Sequence, residues 1–190
     1  MASDPARSGF ADCSVDAGSA NAAECSIPSD KHSAPCRGSR DPRHAMHTTE
    51  HMLNAVMQRE FGASRSIEAH FGSKKSKCDY IVPRPLDEAD LERIEATVNA
   101  EIEKDLAVTT FEIPRAEAEG RYDMGKVPES ARSIRIVEIG DLDVIPCVGD
   151  HVEHTHQIGR FVIRSATMRD ERTVRIRYAL EQQETSEVDS

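Results

Sequence analysis

An α+β domain, with a largely antiparallel sheet packed against two main helices, is the fold class this sequence predicts. Three observations carry that expectation. Several segments of the second half alternate apolar and polar residues. Two long stretches instead space apolar residues by three and four. The strand-like segments follow one another without a helix between each pair. In chain order, residues 46–61 read as an amphipathic helix, with Met52, Leu53, Val56 and Met57 on one side and Gly62 as its stop. Residues 66–71 and 78–82 read as two strands joined by a lysine-rich turn, and Pro83 and Pro85 end the second. Residues 86–106 read as a long helix whose apolar stripe is Leu91, Ile94, Val98 and Ile102. A strand over 108–113 and a short helix over 115–120 come next, then four strands over 133–139, 143–147, 160–168 and 173–180. The last alternates cleanly, with Val174, Ile176 and Tyr178 on one face and Arg175 and Arg177 on the other.

The chain has 190 residues, 38% hydrophobic and 31% charged, enough for one ordinary domain and too little for two. Residues 1–43 are rich in Ser, Ala, Asp, Gly and Pro, with almost no large apolar side chain besides Phe10 and Ile27. Such a segment buries too little surface to offset its chain entropy and is expected to be disordered. The acidic tail 181–190 reads the same way, which leaves a folded domain at 44–180. No run approaches the roughly 20 apolar residues of a membrane helix, and the start lacks the apolar core of a secretory signal. A cytoplasmic protein with no membrane partner is therefore expected. The five cysteines include no C-x-x-C pair, so neither a disulfide framework nor a zinc ribbon fits, and Cys13, Cys25 and Cys36 lie in the N-terminal segment.

A net charge of −10 argues at first sight against a nucleic-acid partner. Residues 181–190 hold four acids and no base, and residues 87–105 hold eight acids against Arg93 and Lys104. Those stretches account for −4 and −6, so the rest of the chain is near neutral and has room for a local basic face. Lys74, Lys75 and Lys77 form one basic cluster, and Arg172, Arg175 and Arg177 another; ordinary solvated charge is the alternative reading.

Two pairs of residues stand out chemically. His47 and His51 lie four apart in HTTEH on the first helix and so project from one face, one turn apart. Cys147 and His151 lie four apart in CVGDH, where Gly149 suggests a sharp turn after a strand. Two imidazoles on a helix, plus a thiolate and an imidazole at a strand end, make a donor set suited to tetrahedral zinc. A helix histidine pair and an unrelated buried cysteine is the competing reading of the same spacing.

Residues 134–159, IRIVEIGDLDVIPCVGDHVEHTHQIG, resemble the C-x-G-T-H-V…T…I-G segment of the editing domain shared by alanyl- and threonyl-tRNA synthetases. HTTEHML resembles the H-T-A-x-H-L-L helix of that family, and KSKCDY sits where the family carries an R-x-D-F strand. The resemblance covers about residues 44–180 and is greatest to the freestanding, AlaX-like editing proteins. It implies hydrolysis, in trans, of the ester joining a wrong amino acid to tRNA, with Ser- or Gly-charged alanine tRNA as the expected substrate. It also implies that His47, His51, Cys147 and His151 hold zinc, which supplies either an activated water or a template. Thr48 matches the family threonine associated with recognising the misattached amino acid, and is expected to grip a serine hydroxyl.

The sequence departs from the family at Asp150, where the motif has threonine. A carboxylate there orients water, holds the substrate amine, or caps the turn. No Q-x-G-S stretch is visible, and SIEAH occupies that region, so His70 is a candidate for the pocket, with a half-exposed strand histidine as the plain alternative. Thr155, with Ile158 and Gly159, matches the motif and is expected to shape the pocket loop. His154 and His156 crowd the same loop as extra ligands, adenosine contacts or simply exposed residues. Lys74, Lys75, Lys77 and Arg84 are expected to meet RNA phosphates, making affinity fall with salt. Two other functions fit the same residues: a non-catalytic RNA-binding module with structural zinc, and a metallohydrolase of small esters.

Overall fold

The computed structural model describes residues 34–35 and 41–181. The disorder expected elsewhere, the tail beyond 181, and Cys13, Cys25 and Cys36 lie outside the described residues. The elements are β1 (Ala34–Pro35), α1 (Pro42–Phe61), β2 (Glu68–Phe71), β3 (Ser76–Ile81), α2 (Glu88–Glu103), β4 (Val108–Pro114), α3 (Arg115–Ala118), β5 (Ser133–Ile139), β6 (Asp143–Pro146), β7 (Arg160–Met168) and β8 (Thr173–Glu181). A 3-10 turn, Thr155–Ile158, precedes β7. The α+β class holds, but one sheet becomes two antiparallel four-stranded sheets, ordered β1-β4-β5-β6 and β2-β3-β8-β7. Alternation reveals strands but not their partners, and β3 pairs with β8, almost a hundred residues away, Cys78 facing Ile176. Two residues of the segment read as disordered, Ala34 and Pro35, pair with Thr110 and Thr109.

Helix α1 starts four residues before the expected position. The Asp41 side chain accepts from the Arg43 backbone N–H (2.9 Å), and Pro42 occupies the first turn, where its missing N–H costs nothing. The helix ends at Gly62, whose φ of 59° is the left-handed conformation that glycine adopts cheaply. Its burial extends beyond one stripe: Met46, Met52, Leu53, Val56 and Met57 are buried, and so are Thr48, Thr49, Glu50, His51 and Asn54. The apolar side joins Ile94, Val98, Cys78, Tyr80, Ile176 and Tyr178 in the main core. The polar side faces β2, β6 and the 3-10 turn, where the candidate site lies. Glu50 is held there by Asn54 Nδ2 (2.7 Å) and by the Ser66 hydroxyl, so its carboxylate is buried but partnered. Cys78 is fully buried, and burial pushes its thiol up to about 12.

Helix α2 is capped by a reciprocal box between Asp87 and Asp90. Arg84, expected to bind RNA, is instead committed to this cap: its guanidinium grips Asp90 with both arms, at 2.5 and 2.9 Å. That grip, with the Asp87 backbone N–H, holds the Asp90 carboxyl at about 2 against an ordinary 3.8. A carboxyl depressed on folding stabilises fully above its unfolded pKa and loses that contribution as pH falls through the folded one. Thermal melts of Asp90→Asn should therefore fall below wild type at neutral pH and converge with it near pH 2. A gap that persists at the acid end would mean that the carboxylate charge is not what matters. Among the described residues, no helix is long and apolar enough to cross a membrane.

Candidate metal centre

His47 and His51 project from consecutive turns of α1 toward the loop that follows β6, which carries Cys147 and His151. One donor atom from each of these four residues lies within 4.8 Å of the others. The three imidazole centroids stand 4.2 to 5.1 Å apart. Cys147 Sγ is 3.5 Å from both His47 Nε2 and His151 Nε2. Donors about 2.3 Å (sulfur) and 2.0–2.1 Å (nitrogen) from one tetrahedral ion stand about 3.5 Å apart. The residues present therefore fit a zinc ion in both donor chemistry and spacing.

Each imidazole is fixed from behind. His47 Nδ1 donates to the Asp150 carbonyl (3.2 Å), His151 Nδ1 to the Thr48 hydroxyl (3.2 Å), and His51 Nδ1 lies 3.2 Å from Asp143 Oδ2. His47 and His151 hydrogen-bond through Nδ1 and turn Nε2 to the Cys147 sulfur, the usual outer arrangement of metal-binding histidine, while His51 has the Asp143 carboxylate beside its Nδ1. Asp143 is itself clamped by Arg65, at 2.7 and 2.8 Å.

The protonation states follow from the same contacts. Burial raises the Cys147 thiol, but hydrogen bonds with His151, His47 and His51 outweigh it and hold the group at about 3. Burial, with His51 and His47 nearby, pushes His151 down to about 4, so its lone pair is free. Burial opposes charge on His51 too, yet Asp143 and Cys147 lift it to about 9. Burial likewise acts against the Asp143 carboxylate, but Arg65 and His51 bring it to about 2.

Beside the four donors lies a cleft of about 350 Å³, lined by Asp41, Arg43, His44, His47, Phe71 and Asp150. The Asp150 side chain is 77% exposed and its carboxylate stands 3.6 Å from His44 Nε2, which places the motif's departing residue at the cleft. Thr48 is elsewhere. Fully buried, its hydroxyl donates to His44 O (2.9 Å) and accepts from Val152 N (3.2 Å) and His151 Nδ1. One donor and two acceptor positions are all used, so it orients His151 and has nothing left for a substrate hydroxyl. Thr155 is also buried, tying Leu106 N (2.9 Å) to Ile102 O (3.0 Å) away from the cleft. His70 is exposed on β2 opposite Lys77, outside the cleft. His154 and His156 face Asp105, at 3.3 and 2.5 Å, as a separate surface group.

Residues with no spacing signal also matter. Arg135 donates to the carbonyls of Cys147 (2.7 Å) and Gly149 (2.9 Å), holding the ligand loop. A Cβ on Gly149 would come 2.6 Å from His47 Nδ1, so only glycine lets the loop pass. Gly149→Ala should displace His47 and reduce zinc affinity at least about tenfold, by competition with a chromogenic chelator. Wild-type affinity would mean that the loop yields instead.

Residues 134–177 match the family model described as "Threonyl and Alanyl tRNA synthetase second additional domain". The chain is 30% identical over 139 residues to the alanine–tRNA ligase of Treponema denticola, 31% over 137 to that of Ignicoccus hospitalis, and 34% over 137 to that of Aeropyrum pernix. These matches cover 70% to 72% of this chain, which spans only 15% to 23% of the length of those ligases. Together they show that this chain carries an editing domain related to that of the alanyl- and threonyl-tRNA synthetases.

Proposed function

We propose that the domain hydrolyses the ester between a misattached amino acid and tRNA, acting in trans, with Ser- or Gly-charged alanine tRNA as its substrate. The observation that carries this reading is the convergence of three back-tied imidazoles and one thiolate beside an open cleft. His47, His51, Cys147 and His151 would hold zinc, which when bound supplies a Lewis acid and template for ester hydrolysis. The protein's own residues do the rest. Asp150 presents an exposed carboxylate to the α-ammonium that every aminoacyl ester carries. His44 steadies that carboxylate, and the Phe71 ring, centred 5.0 Å from that of His47, gives the cleft an apolar wall. Alanine and glycine differ by one methyl group, which a synthetic site separates by only about 1–3 kcal/mol, so a second hydrolytic site is useful.

The test is a panel of precharged tRNAs, with and without chelator. Release of serine or glycine from alanine tRNA well above the rate for alanine, lost with chelator and restored by zinc, is expected. A specific observation favours a second reading: four protein donors make a closed, structural zinc site. RNA binding without release of any amino acid would establish that reading. Equal turnover of a small ester and of charged tRNA would instead establish a small-molecule metallohydrolase.

A further inference from the structure

The outer face of the second sheet carries a row of basic side chains. His70, Lys77 and Arg177 are direct neighbours across β2, β3 and β8. Lys77 and Arg177 are like charges placed opposite one another, which weakens a sheet unless counter-charges answer them. The next row on the same face is balanced from within. Arg175 pairs with Asp79 (2.7 and 2.6 Å), and Lys77 reaches back to Glu68 (2.7 Å). Glu68 and Asp79 thus answer Arg175 and Lys77. Among the described residues, no ion pair engages Arg177, Lys74 or Lys75.

These groups surround a groove of about 370 Å³, with His70, Lys74, Lys75, Lys77 and Arg177 on its walls. The β2–β3 hairpin contributes to both the groove and the cleft beside the candidate metal centre. Phe71 lines the cleft beside His47, while its neighbours His70 and Gly72 line the groove. Gly72 donates to Lys75 O (3.1 Å), and a Cβ there would come 2.6 Å from that oxygen, so the turn presenting both lysines is tight.

We propose that this groove seats the RNA backbone phosphates immediately 5′ of the esterified nucleotide, with Arg177 the principal contact. The order of ester and phosphates rests on the deacylase reading above; the binding of RNA phosphate does not. Arg177 suits the task because its planar guanidinium meets a phosphate with two parallel hydrogen bonds. Arg84, engaged at the α2 cap, plays no part. The groove also gives the domain a physical means of preferring a nucleic-acid ester to a free one.

The test has two arms, using the full chain. In the first, an uncharged RNA hairpin ending in CCA is titrated by fluorescence anisotropy between about 50 and 200 mM salt. Arg177→Ala should lower the slope of log affinity against log salt by about 1, and Lys74→Ala/Lys75→Ala by about 2. Lys104→Ala, on the acidic helix, is the control and should match wild type. In the second arm, Arg177→Ala should raise the KM for mischarged tRNA about tenfold, one charge-assisted hydrogen bond, and change kcat less than about twofold. It should leave turnover of an aminoacyl-adenosine ester unchanged, because that substrate has no phosphate. A slope for Arg177→Ala equal to that of the Lys104→Ala control overturns the assignment, even if hydrolysis proceeds. A lowered slope with no hydrolysis of any charged tRNA keeps the groove and removes the deacylase. Wild-type melting of the Arg177→Ala and Lys74→Ala/Lys75→Ala variants shows that the substitutions leave the fold intact.

Discussion

Replacing Cys147 with alanine is expected to cost at least a hundredfold in deacylation and to take bound zinc from about one ion per chain to a trace. Losing an outer partner of a metal-binding histidine already costs 10–100-fold, so losing a donor costs more. Cys147 is the one donor whose neighbours hold it as an anion near neutral pH, and its sulfur contacts two of the three histidines at 3.5 Å. Without it three imidazoles share the space, with no negative charge among the four donor positions. The residue is half-buried at the end of a loop that Arg135 anchors through backbone carbonyls, so the substitution should leave the fold in place. Metal content by mass spectrometry, far-UV circular dichroism and turnover of charged tRNA check the three parts separately. Full activity in a zinc-free Cys147→Ala protein would sink the metal-dependent reading. Lost zinc with activity kept would assign the metal to structure alone.

Asp143→Ala is expected to destabilise the protein by about 3 kcal/mol, the range for removing one partner of a buried ion pair. The Asp143 side chain is 7% exposed and sits between the Arg65 guanidinium and the His51 ring. Its removal leaves both facing a cavity. Urea unfolding reads the stability. Zinc affinity should fall 10–100-fold as well, because His51 loses the partner that fixes its ring. Asp143→Asn keeps the size and loses the charge. The asparagine variant should recover only the part of the loss that comes from the cavity, since Arg65 still lacks a counter-charge, and it should still bind zinc weakly if the carboxylate acts through His51. Unchanged zinc affinity in both variants would mean that Arg65 and Asp143 only brace the fold.

The elements were legible in the sequence because periodicity is local. The apolar spacing of both helices needed no partner to be read, and the local signals for their starts, Asp41-Pro42 and the Asp87–Asp90 box, went unread. The division into two sheets was not legible, since alternation states which face is apolar but not which strand lies alongside. The four candidate donors were visible as two i,i+4 pairs on chemically suited residues. For Thr48, Arg84 and Thr155 the structure adds contacts that sequence spacing does not reveal. Thr48 meets Val152 and His151, Arg84 meets the α2 cap, and Thr155 meets the end of α2.

By itself, then, the sequence determined the α+β class, the family resemblance and a candidate donor set, all of which depend on residue type and short-range spacing. Only the tertiary structure decided how those donors are oriented. The Arg65–Asp143 clamp on His51, the close pass of Gly149 by His47 and the charge row of His70, Lys77 and Arg177 each join residues far apart in the chain. Such contacts arise when the core closes α1 onto β6 and β3 onto β8, and nothing in a local stretch of sequence records which distant partner will arrive.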